Sequence, residues 1–221
     1  MRPFTYHPAE SLGEAVTLLG HYGEDTQLLA GGTSLMLLNR LNLLVADHVV
    51  GLRGIPEVSG IIRTAGGDLR LGALTRLREL ETSADVRQAA PALAEAAHTV
   101  ATLRVRNQAT IGGNLAHADP AQDPPPMLMA LGAHVEAVGG SGQRRIAVDD
   151  LFVGYLETTL APDEVLTAVV VPRLTSRTRA GYLKFLPGTE DYYATVSVAA
   201  AAELADGRCT RLRVALGGAA P

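Results

Sequence analysis

The chain of 221 residues has one cysteine, no tryptophan and few other aromatics, six tyrosines and three phenylalanines. With Cys209 as its sole thiol it can form no internal disulfide and cannot ligate an iron–sulfur cluster alone, and a reducing compartment suits it. It lacks any apolar run near the ~20 residues that span a membrane. Its start, Met1-Arg2-Pro3-Phe4-Thr5-Tyr6-His7-Pro8, lacks the apolar core of a signal peptide. A cytoplasmic protein with no membrane span is therefore expected. Neither sign of charge dominates: 19 Lys and Arg face 23 Asp and Glu, a formal net charge of −4, which argues against a nucleic-acid partner. The six histidines, at 7, 21, 48, 98, 117 and 134, show no pairing at metal-ligand spacing, so no metal site is expected, even at His117-Ala118-Asp119. The familiar phosphate signatures are missing too. No Gly-x-x-x-x-Gly-Lys-Ser/Thr occurs, and after Gly140-Ser141-Gly142 the dinucleotide fingerprint would need glycine where Arg145 stands.

What the chain does have is two glycine pairs in similar settings. In Leu28-Leu29-Ala30-Gly31-Gly32-Thr33-Ser34-Leu35-Met36-Leu37-Leu38 an apolar run meets two glycines, then hydroxyl residues, then apolar residues at helical spacing. This is the pattern of strand, tight turn and helix start, with Thr33 or Ser34 available as the cap. The stretch Ala109-Thr110-Ile111-Gly112-Gly113-Asn114-Leu115-Ala116-His117-Ala118-Asp119 repeats it. Glycines let a ligand approach the backbone, and the unpaired N–H groups of a helix start attract anions. Either pair alone fits a plain turn. Together they suggest two loops holding the two phosphates of a dinucleotide through main-chain amides.

At 47% hydrophobic and 19% charged, the chain can bury a sizeable core. In order, Ser11 three residues before Glu14 marks a capping box and a helix ending near Gly20 or Gly23. A strand at 27–30, a helix at 35–44 and a strand at 46–52 continue an α/β order. A strand follows at 69–74, then a helix capped by Thr75 through about Glu81, and a helix over 88–100 beneath the second glycine loop. Asp123 before Pro124-Pro125-Pro126 opens another helix; it is either an acceptor for sugar hydroxyls or a plain N-cap. A hairpin turns at Gly139-Gly140-Ser141-Gly142, and 165–171 is a β-branched run. The basic segment 173–179 suggests a linker, and three strand-like runs follow at 181–186, 195–204 and 211–216, with a turn at Asp206-Gly207, before the closing turn at 217–221. In Glu190-Asp191-Tyr192-Tyr193, one of the two tyrosines could meet a flat ring, since neighbours on a strand face opposite sides. Lys184 could offset phosphate or flavin charge, or be exposed.

With both loops and this tail in view, the chain resembles the FAD-binding medium subunits of molybdenum hydroxylases, the carbon monoxide dehydrogenase and xanthine dehydrogenase family. The resemblance rests on Ala30-Gly31-Gly32-Thr33-Ser34-Leu35, on Thr110-Ile111-Gly112-Gly113-Asn114, and on the continuation Leu115-Ala116-His117-Ala118-Asp119-Pro120-Ala121, and it runs almost from end to end. It implies an α+β chain: a two-part FAD-binding fold of the vanillyl-alcohol oxidase (PCMH) type over 1–175, split near 53–60, then an apparently incomplete C-terminal α/β domain over 176–221. By matching position, Leu29, Ala30, Gly31, Gly32, Thr33, Ser34, Leu35 and Met36, with Thr110, Ile111, Gly112, Gly113 and Asn114, would line the FAD phosphates and ribityl chain. Asp123 would bind a sugar-type hydroxyl, Leu166 would lie on the adenine side, Lys184 would contact the cofactor, and Val100 would line it elsewhere. Tyr193, with Tyr192 as the alternative, would pack on the isoalloxazine. The resemblance further implies electron transfer between a 2Fe-2S small subunit and an external acceptor, with substrate oxidised on a molybdenum cofactor-binding large subunit. No acid, base or nucleophile is then required of this chain. A stand-alone flavin oxidase or reductase, or a remnant subunit that has lost FAD, are the rival readings.

Overall fold

The computed structural model describes residues 2–188 and 192–219. Three strands come first: β1 (Thr5–Pro8), β2 (Thr26–Leu29) and β3 (His48–Gly51) make a parallel sheet in the order β1-β3-β2. Between β1 and β2 runs α1 (Leu12–Tyr22), whose N-cap Ser11 accepts from the Glu14 amide (3.2 Å) while Glu14 accepts from the Glu10 amide (2.8 Å). It buries Ala15 and Leu19 and stops at Gly23, where φ is 58°. Between β2 and β3 lies α2 (Thr33–Arg40), shorter than the expected 35–44 because the chain turns at Asn42, φ 57°.

A five-stranded antiparallel sheet forms the middle of the molecule. Its strands are β4 (Ile61–Arg63), β5 (Leu69–Gly72), β6 (His134–Gly139), β7 (Gly142–Ala147) and β10 (Val165–Val171), in the order β4-β5-β10-β6-β7. Every residue of β10 is buried, which is why its sequence is a β-branched run without alternation. A two-stranded ribbon, β8 (Phe152–Gly154) with β9 (Glu157–Thr158), precedes β10. Six helices connect β5 to β6: α3 (Leu77–Thr82), α4 (Ala84–Ala89), α5 (Pro91–His98), α6 (Leu103–Arg106), α7 (Ile111–His117) and α8 (Pro124–Ala130).

Two expectations fail in this region. The helix over 88–100 is two helices, because Pro91 has no N–H for an interior helical bond and its ring bars the helical geometry before it. Nor does Thr75 cap α3. Its hydroxyl donates to the Gly60 carbonyl (2.9 Å), and the helix start is closed instead by Glu79, which accepts from the Arg76 amide (2.7 Å).

The remaining strands, β11 (Thr178–Phe185), β12 (Val196–Ala205) and β13 (Arg208–Gly217), form an antiparallel sheet in chain order. The turn expected at Asp206-Gly207 is present, with both residues at positive φ. Two apolar cores hold the molecule. One gathers Ala15, Leu19, Val50, Ile55 and Val58 under α1. The other packs Leu93, Ile111, Met127 and Leu128 with Leu71, Val169 and also Tyr182 and Ala199 of the last sheet. Strand β10 serves both, with Val165 in the first and Val169 in the second. Among the described residues no helix is long and apolar enough to cross a membrane.

Candidate functional site

The first glycine pair sits at the carboxyl end of β2, where the chain turns into α2. Gly32 is the N-cap, at φ 75°, so the expected cap by Thr33 or Ser34 is not made: both residues lie within the first turn, and no side chain caps the helix. The first amide to close the helix is that of Met36, on the Gly32 carbonyl (3.0 Å). Ahead of it, the N–H groups of Thr33, Ser34 and Leu35 have no partner among the described residues. They form a row of three donors at a positive helix end.

The second pair is arranged differently. Thr110 caps α7, its hydroxyl accepting from the Gly113 amide (3.2 Å), and Gly112 and Gly113 lie inside the helix. The Ile111 amide donates to the Thr75 carbonyl and that of Gly112 to the Ala73 carbonyl, both at 2.9 Å. The Asn114 amide donates to the Thr110 carbonyl (2.9 Å). Every main-chain donor at this helix start is thus spent within the protein. The symmetry expected from the sequence, two loops each presenting bare amides, is replaced by one loop with free amides and one that acts through its surface and side chains.

Close packing joins the two loops. Gly31 lies against the backbone of Gln108 and Ala109, where a Cβ would strike the Gln108 carbonyl. A Cβ on Gly113 would stand 3.5 Å from the Cβ of Ala30, and one on Gly112 would fall 2.9 Å from the Ala73 Cα. Gly31 and Gly112 therefore serve close approach within the protein.

The loops border one cleft of about 680 Å³, in the range of small-molecule sites. Of the residues singled out from the sequence, Ala30, Gly31, Gly32, Thr33, Ser34, Leu35, Thr110, Gly112, Gly113, Asn114 and Leu166 line it. Leu29 and Met36 line instead a second crevice of about 400 Å³ that shares the Ala30–Thr33 turn and has Arg40 and Arg53 at its border. Ile111 is wholly buried in the core. Val100 packs on that core, its carbonyl held by Arg106 (2.9 Å).

Asp123 and Lys184 do not line the cleft. Asp123 occupies the N-cap position of α8 without capping it. Its carboxylate accepts instead from the Tyr182 hydroxyl (2.5 Å) and from Lys184 Nζ (2.9 Å), and Lys184 also donates to the Thr99 carbonyl (2.9 Å). Both charged side chains are 5% exposed. Burial pushes the Asp123 carboxyl upward, against the lowering effect of Tyr182 and Lys184. Burial and the neighbouring Asp123 carboxylate raise the Tyr182 hydroxyl well above the usual phenol range. Tyr192 and Tyr193 are exposed, while Glu190 and Asp191 of that stretch, like Ala220 and Pro221 of the closing turn, lie outside the described residues.

His117 and Gln122 are among the lining residues outside the sequence-derived site. His117 borders the cleft, and burial lowers its pKa against the opposing charge of Asp119. Gln122 also borders it, buried, with Oε1 lacking a partner among the described residues; Asn114 Oδ1 is in the same state. Buried polar atoms normally find partners. A cleft with three free amides at one helix start suits a ligand that carries an anionic group, as FAD does. Among the described residues no cluster of His, Cys, Asp and Glu could hold a metal.

Comparison with known proteins follows the same line. The family model described as the FAD binding domain in molybdopterin dehydrogenase matches residues 2–174. The carbon monoxide dehydrogenase medium chain of Hydrogenophaga pseudoflava is 38% identical over 218 residues, 99% of this chain and 75% of that one. The 6-hydroxypseudooxynicotine dehydrogenase complex subunit alpha of Paenarthrobacter nicotinovorans is 36% identical over 223 residues, 99% of this chain and 74% of that one. In three dimensions the chain matches a structure of the H. pseudoflava carbon monoxide dehydrogenase lacking the Mo-pyranopterin moiety of its molybdenum cofactor, with a TM-score of 0.94 at 37% identity, over 98% of this chain and 75% of that one.

Proposed function

Because the chain belongs to the family of FAD-binding domains of molybdopterin dehydrogenases, we propose that it is the flavin-bearing electron-transfer subunit of a molybdenum hydroxylase complex. Its partners in this reading are a 2Fe-2S small subunit, from which electrons arrive, and a large subunit that holds the molybdenum cofactor and oxidises the substrate. FAD, when bound, supplies the redox chemistry that links these carriers to an external acceptor. The single cysteine fits the division of labour, since the clusters must then sit elsewhere. Cys209 is a free, exposed thiol, the state a reducing cytoplasm maintains.

The observation that carries the reading is the row of free amides on Thr33, Ser34 and Leu35 opening on a cleft whose other wall is Thr110 and Asn114. The residues of this chain would do three things. The amides of α2 hold the diphosphate without a cation. Gly32, at positive φ, lets the backbone turn directly beneath it. Leu166 supplies an apolar surface beside it. Asp123 and Lys184 act in this scheme through one another, fixing the wall behind the second loop. The two cores, one reaching Val58 and the other built on β10, support a two-part cofactor fold of the PCMH type over residues 1–175, split near 53–60. The sheet β11–β13 would then open the domain assigned to 176–221.

An absorption spectrum of the purified chain after incubation with FAD and desalting tests the proposal. Flavin bands carried with the protein, together with co-purification of a large and a small subunit from the native cell, are the expected result. A chain that stays colourless contradicts it.

A further inference from the structure

The ribbon β8–β9 turns on a backbone conformation that its residues do not favour. Gly154 pairs with Glu157, so Tyr155 and Leu156 are the two central residues of the turn, and Leu156 stands at φ 58°. A second central residue at positive φ is ordinarily glycine or asparagine, because this conformation brings the Cβ of other residues too close to the following carbonyl oxygen. A bulky side chain there is an outlier, and strain of this kind collects where ligands are held. Packing does not account for it: neither apolar core includes Leu156, and the residue is 40% exposed. Its side chain borders the cleft instead. The turn is pinned through its main chain, where the Leu156 amide donates to the Ala118 carbonyl (3.2 Å). Ala118 caps the end of α7 and is itself left-handed, at φ 53°. The same helix borders the cleft with Thr110, Asn114 and His117, spaced to share one face. The tip of the ribbon is therefore fixed to the end of a cleft-lining helix, with an apolar side chain presented at the rim.

We propose that Leu156 is a cofactor contact, its side chain covering one face of a flat ring of the flavin dinucleotide while the diphosphate sits on the amides of α2. The isoalloxazine and the adenine are the two rings of that class, each planar with an apolar face. The contact rests on the flavin reading above. It complements the turn at α2: amides there receive the anionic part, and a leucine here receives a ring. Docking the ring takes the exposed side chain out of water, and the pinned turn spares the ordering that a mobile loop would undergo on binding.

The test is titration of the flavin-free full chain with FAD, followed by flavin fluorescence, with thermal melting of the flavin-free protein as the second readout. Leu156→Gly and Leu156→Asn both remove the apolar side chain, and both residues accept a positive φ. Affinity for FAD is expected to fall by about three- to tenfold, the worth of burying part of one leucine. The melting temperature of the flavin-free chain should hold or rise in at least one variant, since the strain is gone. At saturating FAD the absorption bands of the bound flavin tell the two rings apart: a changed band shape puts the leucine on the isoalloxazine, an unchanged one on the adenine. Unchanged FAD affinity in both folded variants overturns the contact and leaves the flavin reading standing. A melting temperature lowered in both variants makes Leu156 a packing residue and overturns the contact as well. A wild-type chain that takes up no FAD overturns the flavin reading, and the contact with it.

Discussion

Gly31 abuts Gln108 backbone to backbone, with no room for even a methyl group between them, and this contact is what brings two loops 77 residues apart onto one cleft. Gly31→Ala is therefore expected to part the loops. Overpacking of this kind costs about 1–3 kcal/mol, so the variant should melt at a lower temperature and also lose FAD. If Gly31→Ala melts like the wild type, the junction is not what joins the loops.

Gly112 makes the equivalent contact on the other side, against Ala73. Gly112→Ala should destabilise the flavin-free chain by a similar amount, measured by urea unfolding, because the clash lies between α7 and the segment after β5 and needs no ligand to be felt. A variant that is as stable as wild type but flavin-free would place Gly112 in direct contact with the cofactor instead.

Lys184 and Asp123 form a buried pair, and removing one partner of such a pair typically costs about 3–5 kcal/mol. Lys184→Met should show that loss in the flavin-free protein. The double variant Lys184→Met with Asp123→Leu should be less destabilised than the two single losses together, since no charge is then stranded. Full stability of Lys184→Met combined with weaker FAD binding would instead assign the ammonium to the cofactor.

Glu81 gives the fold a pH dependence. Burial raises its pKa, but hydrogen bonds from His98 and Arg78 and the charge of Arg106 outweigh that and bring it down to about 2. A carboxyl depressed in the folded state contributes stability that is complete above its unfolded value near 4.5 and is lost as pH falls from there toward 2. The contribution is on the order of 3 kcal/mol. Unfolding midpoints of the wild type should drop across that window, whereas those of Glu81→Gln should start lower and change less. Parallel curves for the two proteins would remove Glu81 as the cause. Because Arg106 also holds the Val100 and Ala101 carbonyls, the same acid transition should loosen the 99–102 segment.

The parts of the molecule that could be foreseen are those specified by neighbours in the chain. Ser11 and Glu14 announced α1, Asp206-Gly207 and the turn before Gly142 announced hairpins, and the β-branched run at 165–171 announced β10. The helix break at Pro91 was also locally encoded, in the missing N–H of the proline. The site was only half legible. Strand, turn and helix at Gly31-Gly32 could be read directly, and the alignment of Thr110 with it suggested a shared cleft. Nothing local reveals that the amides of Ile111 and Gly112 are spent on Thr75 and Ala73, some 36 to 39 residues away. Nor does spacing show that Asp123 meets Tyr182 and Lys184 from a different sheet, or that Gln122 is buried with its oxygen unpaired. These depend on how distant segments close around one another.

The central claim is that an anion sits on the free amides at the start of α2, and Ser34→Asp tests it most directly. A carboxylate in the first turn of a helix favours the helix itself, so the flavin-free protein should melt no lower than wild type. The same charge would repel a bound diphosphate, and FAD titration should show affinity weakened by about tenfold or more. FAD affinity equal to that of the wild type would contradict the account.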